Sequence, residues 1–144
     1  MLGLQYFLDT NVFVYAIGVD EDYRPACQKI LEAILTGAVS AAVSTEVLQE
    51  IVYRYHSIRE LARGLSLTRE IVAIVPAILP VVQADIEDML DLVVDYPRLS
   101  PRDALHAAVA RRAGITEIVS ADRGFTGVAG LTRVDPLELA QRLG

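Results

Sequence analysis

Short apolar runs alternate with longer stretches of helical periodicity along the whole chain, and that alternation limits the folds open to it. Gln5 to Leu8 reads as a first strand and "AVSAAV" as a second, while Ile78 to Val82, "EIVSAD" and "LTRV" read as three more. Pro25 to Leu35 carries apolar residues at Ile30, Leu31, Ile34 and Leu35, which predicts a helix stopped at Gly37. Ser44 opens a helix through Tyr55, and helical stretches follow at Ile58 to Leu65 and Thr68 to Val75. Asp85, Glu87, Asp88, Asp91 and Asp95 interleave with Ile86, Met89, Leu90, Val93 and Val94, the wet and dry sides of one amphipathic helix. "SPRDALHAAVARRAG" is punctuated at both ends, with Ser100 as N-cap, Pro101 at the first helical position and Gly114 as terminator. Pro136 opens a final helix. This order predicts a three-layer α/β/α fold around a central, mostly parallel sheet of four to five strands. No repeat or linker divides the 144 residues, so one domain over 1–144 is expected.

In such sheets ligands bind beyond the carboxyl ends of the strands. The stretch "FLDTNVFVYA" brings Asp9 to that edge, then turns through Thr10 and Asn11 into another apolar run. Asp122 ends a later apolar run. Glu46 and Asp103 lie in the first turns of the helices opened by Ser44 and Ser100, and helix starts share the same edge. Each acid has an ordinary structural duty: Asp9 and Asp122 as turn caps, Asp103 in a capping box with Ser100, Glu46 at a positive helix end. Together they crowd. Two carboxylates about 4 Å apart repel by roughly 4 kcal/mol at an effective dielectric near 20, whereas a cap contributes only about 1 kcal/mol. A bound divalent cation resolves that conflict, and an oxygen-rich set suits Mg²⁺ or Mn²⁺.

The formal net charge of −6 excludes general electrostatic adhesion to nucleic acid. Arg54, Arg59, Arg63 and Arg69 fall close together, a pattern that fits a solvated helix face better than a phosphate-binding patch. The lone Cys27 excludes an internal disulfide and points to a reducing compartment. No secretory signal is legible, and the apolar run Ile71 to Val82 is too short for a bilayer and holds Pro76 and Pro80. A soluble, cytoplasmic protein with no membrane contact is expected.

"FLDTNVFVYA", "STEVLQE", "SPRDALHAAVARRAG" and "IVSADRGF", in this order, resemble the signature segments of the PIN-domain nucleases, most closely the VapC-type toxins of prokaryotic toxin–antitoxin pairs. The resemblance implies a PIN fold, an Mg²⁺- or Mn²⁺-dependent ribonuclease acting on RNA, a homodimer, and a cognate antitoxin that holds it inactive. It places the family's acids on Asp9, Glu46, Asp103 and Asp122, and its polar supporting positions on Thr10, Asn11 and Ser120. Many relatives carry a further acid two residues after the fourth, where Gly124 stands here.

In that reading Asp9, Asp103 and Asp122 hold the metal, and Glu46 holds or deprotonates the attacking water. The resemblance also implies cleavage that leaves a 5′-phosphate and a 3′-hydroxyl. Thr10, Asn11 and Ser120 orient carboxylates or waters from behind. Arg123 is a candidate substrate contact set against a surface ion pair. His106, one turn after Asp103, is more readily a hydrogen-bonded helix histidine than a ligand, and His56 has no evident partner. Tyr15, Tyr53 and Tyr55 are candidates to stack bases, with packing as the default. A haloacid-dehalogenase-type phosphatase needs a second Asp where Asn11 stands and a suitably placed lysine, and a receiver domain fails on the same lysine. The remaining alternatives are a non-catalytic PIN-like RNA-binding or scaffold protein, and an RNA-processing nuclease without an antitoxin.

Overall fold

In the computed structural model, which describes residues 4–144, β1 (Tyr6–Leu8) runs straight into α1 (Thr10–Ala16), followed by α2 (Tyr23–Leu35). Then come β2 (Ala41–Ser44), α3 (Thr45–Ser57), α4 (Leu61–Ile74), β3 (Ala77–Leu79) and α5 (Gln83–Asp95). Last are α6 (Pro101–Arg112), β4 (Glu117–Val119), a single 3₁₀ turn (Arg123–Phe125), β5 (Thr132–Val134) and α7 (Pro136–Arg142). The strands form one parallel sheet in the order β3-β2-β1-β4-β5, the central layer of the expected α/β/α architecture. Phe7, Leu8, Ala41, Ala42, Val43, Ile118 and Val119 are fully buried, as strands covered on both faces require. β1 pairs with β2 on one side and β4 on the other, so the winding reverses between β1 and β4. A crevice opens outside the strand ends at such a reversal.

The caps form largely as the sequence predicts. Ser44 Oγ accepts from the Val47 N–H at 3.2 Å, and Ser100 Oγ from the Asp103 N–H at 3.1 Å. The Ser100 box is only half made: among the described residues, no bond returns from the Asp103 carboxylate to the Ser100 N–H. Asp103 is therefore free of the duty that would explain it structurally. α6 is buried from Ala104 to Ala110, its alanines letting neighbouring elements approach closely.

Four expectations need correction. Asp85, expected on the wet side of the acidic helix, is buried and accepts from Arg112 Nε at 2.7 Å, while Leu90 and Val94 of the expected dry side are exposed. Thr10 and Asn11 do not turn the chain; they open α1 directly, with Asp9 as N-cap. β3 ends at Leu79 rather than reaching Val82, because Pro80 has no N–H to continue the ladder. The two helical stretches at Ile58 to Leu65 and Thr68 to Val75 are one helix, α4, which starts only at Leu61 after Arg59 turns at φ 61°. Gly64 lies inside α4 and has a packing role there.

A Cβ on Gly64 would lie 2.6 Å from Tyr55 Cβ, so hydrogen alone lets α4 approach α3. Gly64→Ala should destabilise the protein by about 1–2 kcal/mol, since overpacking outweighs the helix-propensity gain of about 1 kcal/mol. Urea unfolding reads this directly. A variant as stable as the parent would mean that α3 and α4 separate without cost.

Candidate active site

A cleft of about 280 Å³ opens beyond β1 and β4, at the point where the winding reverses. Asp9, Glu50, Asp103 and Asp122 line it, and Thr10, Asn11, Val14, Tyr15 and Arg54 form the rest of its wall. Three of the four acids expected from the sequence thus meet. Glu46 does not join them.

Asp9 is almost wholly buried, and its carboxylate is fixed on both oxygens. Oδ1 accepts from the Thr10 N–H at 2.8 Å; Oδ2 accepts from Ser120 Oγ at 2.6 Å and Asn11 Nδ2 at 3.2 Å. Ser120 uses its full hydrogen-bonding capacity here. It donates to Asp9 and accepts from Asn11 Nδ2 at 3.1 Å and the Asp122 N–H at 2.9 Å. Asn11 Oδ1 accepts from the Ala121 N–H at 3.4 Å. The polar residues expected behind the acids therefore tie the end of β1 to the segment after β4. Burial raises the Asp9 pKa above its ordinary value, against the opposing charge of His106 and the hydrogen bonds from Ser120 and Thr10.

His106 is fully buried, with Nε2 2.9 Å from Glu50 Oε1 and 3.8 Å from Asp9 Oδ1. Burial alone would lower its pKa, but the hydrogen bond to Glu50 and the charges of Asp9, Glu50 and Asp103 outweigh that and raise it. Glu50 responds in the opposite sense. Burial pushes it up, yet the bond and charge of His106, with Arg102 nearby, hold it below the usual carboxylate range. Asp103 is pushed up to about 7 by burial, by the charge of Asp9 and by hydrogen bonding with Asp122. The crowding that the sequence assigns to a cation thus shows in the raised pKa values of both His106 and Asp103.

The remaining candidates divide. Glu46 lies outside the cleft, its Oε1 3.7 Å from Arg102 Nε. Glu50, four residues along α3, takes the place in the cleft expected for it. Sequence reasoning stopped at the first helical turn; the i, i+4 relation that puts both on one face was the available signal. Asp122 is not at a strand end, because β4 stops at Val119; it N-caps the 3₁₀ turn, its Oδ1 accepting from the Gly124 N–H at 2.8 Å. A Cβ at Gly124 would come within 3.0 Å of the Arg98 carbonyl oxygen and 3.1 Å of Asp122 Oδ1, so any side chain there requires these neighbours to shift by a few tenths of an ångström. Arg123 is exposed and does not line the cleft. Tyr55 is core, Tyr53 is exposed beneath Arg102, and Tyr15 lines the cleft while stacked on Tyr23 at 4.5 Å.

Asp9, Asp103 and His106 can each offer a ligand atom, all within 4.8 Å of one another. The two carboxylates fit a hard divalent ion that keeps part of its water shell. His106 has Nε2 engaged with Glu50, which makes it a better counter-charge than ligand. Thr10 Oγ is buried on the cleft wall; it lies near enough to Glu50 to favour the ionised form but, among the described residues, makes no hydrogen bond of good geometry. An ion-bound water in the cleft would give that hydroxyl a partner.

The model of the PIN domain family matches residues 6–131 of the chain. Ribonuclease VapC13 of Mycobacterium tuberculosis is 35% identical over 127 residues, covering 88% of this chain and 97% of its own length. Ribonuclease VapC7 of the same species is 33% identical over 130 residues, covering 90% of each chain. Among solved structures, VapBC2 from Rickettsia felis bound to a DNA fragment from its promoter superposes with a TM-score of 0.72 at 19% identity, over 92% of this chain and 98% of that one. The sarcin–ricin-loop-cleaving toxin VapC20 of Mycobacterium tuberculosis superposes at 0.70 with 16% identity, over 87% and 95%. At those identities the two structures establish a shared fold.

Proposed function

The chain belongs to the PIN-domain family, in its VapC-type branch, and from that premise we propose that it is a divalent-metal-dependent ribonuclease, the toxin of a toxin–antitoxin pair. The meeting of Asp9, Asp103 and Asp122 with Glu50 in one cleft is the observation that carries the reading. A chain retained only as a scaffold has no use for acids packed so closely that Asp9 and Asp122 help to raise the Asp103 pKa.

Asp9 and Asp103 would hold Mg²⁺ or Mn²⁺, with Asp122 beside them. Such an ion supplies an acidified water and charge neutralisation at a phosphodiester. Asp9 is locked by Thr10, Asn11 and Ser120, so it offers a ligand that needs no reorganisation. Glu50, kept ionised by His106, is the residue placed to accept a proton from an attacking water. Attack at phosphorus breaks the bond to the 3′-oxygen and leaves a 3′-hydroxyl and a 5′-phosphate.

The acidity of the cleft also suits an arginine-bearing segment of an antitoxin as inhibitor. In line with this, proteins of the same fold are described as toxin–antitoxin complexes, one of them from Klebsiella pneumoniae. The active form would be a cytoplasmic homodimer; among the described residues no helix is long and apolar enough to cross a membrane. Sequencing of RNA ends after controlled expression tests the reading. New 5′-phosphate ends and growth arrest should accompany the parent protein and vanish with Asp122→Ala. Arrest or new ends that persist in that variant would refute it.

A further inference from the structure

The arginines at positions 54, 59, 63 and 69 do not act as one patch. Arg63 donates to the Ile17 carbonyl, pairs with Glu60 at 3.7 Å and lies over the Tyr55 ring. Arg54 alone of the four lines the acidic cleft. It follows Glu50 by four residues on α3, the spacing and polarity at which an acid and an arginine ordinarily pair. They do not pair here. Glu50 is turned inward to His106 at 2.9 Å and lies 3.9 Å from Arg102. Among the described residues Arg54 pairs with no carboxylate, whereas Arg63, Arg102, Arg111, Arg112, Arg133 and Arg142 each do.

An exposed guanidinium on the wall of a cleft whose other charged lining groups are acids has a clear chemical complement. It is anionic, and it must enter a site that repels anions. We propose that Arg54 is the phosphate-binding residue of this cleft, taking a backbone phosphate of single-stranded RNA beside the acids. The inference rests on the nuclease reading and adds a residue to it. A guanidinium offers a phosphate two parallel N–H donors, and this one needs no existing ion pair to be broken first.

The test is fluorescence-anisotropy titration of a labelled, mixed-sequence single-stranded RNA against full-length protein carrying Asp103→Asn, with Mg²⁺ present and NaCl varied. Adding Arg54→Gln should weaken binding roughly five- to tenfold and make the log K against log salt slope shallower by about 0.7, one phosphate contact on a single strand. Arg54→Lys should restore most of the slope. Arg69→Gln, an exposed cation on α4 outside the cleft, should change neither quantity. Equal affinity and slope for Arg54→Gln, or an equal loss for Arg69→Gln, overturns the proposal. Cleavage by the unsubstituted protein separates the two readings. If it cuts RNA while Arg54→Gln binds normally, only Arg54 is wrongly assigned. If it never cuts but Arg54→Gln still loses RNA, the nuclease reading falls and the phosphate contact stands. An Asp103→Asn protein that binds no RNA overturns the Arg54 proposal, and if the unsubstituted protein also never cuts, both readings fall.

Discussion

Asp103→Asn should lower metal-dependent RNA cleavage by on the order of a thousandfold or more, while raising the melting temperature of the metal-free protein at about pH 8. The two effects share one cause. Burial, the charge of Asp9 and hydrogen bonding with Asp122 push the Asp103 carboxyl up to about 7, from an ordinary value of 3.8. A carboxyl raised in the folded state adds stability that is complete below its unfolded pKa and is lost as pH climbs through its folded pKa. In the metal-free parent that loss runs from about pH 4 to about pH 7 and beyond, as the folded state is forced to carry a charge it resists. Asparagine carries none, so the variant should gain a few degrees over the parent at about pH 8 and little at about pH 4. The half-made cap favours this outcome, because the Asp103 carboxylate has no bond to Ser100 to lose. Added Mg²⁺ should stabilise the parent and leave the variant nearly unmoved. Melting curves with EDTA or Mg²⁺ at the two pH values check the prediction. A variant less stable than the parent in EDTA would show that Asp103 is a structural cap after all.

Much of this was legible before any coordinates. Ser44 and Ser100 are helix N-caps, Pro101 and Pro136 open helices, and the buried β1, β2 and β4 read as apolar runs. Those signals are local: a cap or a parallel strand is written within a few neighbouring residues. What escaped was set by contacts across the chain. The two stretches that are one helix, α4, hold Gly64, whose reason, the Tyr55 Cβ, lies on another helix. His106 resembled an ordinary helix residue because Glu50 and Asp9, its two acidic partners, come from α3 and the end of β1. Asp122 resembled a strand end because it closes an apolar run, but β4 stops at Val119 and the acid belongs to the turn after it. The acids at helix starts and strand ends were placed at the correct edge of the sheet by topology alone. Which acid faces inward depends on helix phase.

Helix phase gives the second large effect. Glu50→Gln should reduce cleavage on the order of a hundredfold and lower stability by about 1–3 kcal/mol, whereas Glu46→Gln should leave both within about twofold or a few tenths of a kcal/mol. Glu46 is a partly exposed partner of Arg102, at 3.7 Å, and Arg102 keeps a second acid at 3.9 Å when the first is neutralised. Such surface pairs contribute little. Among the described residues, Glu50 is the only carboxylate within hydrogen-bonding distance of a fully buried imidazole whose proton Asp9 and Asp103 help retain. Glutamine in its place can still accept from Nε2–H, but it no longer opposes the cost of burying that charge. The His106 pKa then falls, and a neutral imidazole leaves Asp9 and Asp103 to repel each other with less compensation. Loss of activity should therefore come with weaker metal-free stability in Glu50→Gln, the reverse of the Asp103→Asn combination. Two neutralised acids of one cleft would move the melting temperature in opposite directions. That outcome follows only if His106 is the buried positive charge around which Asp9, Glu50 and Asp103 are arranged.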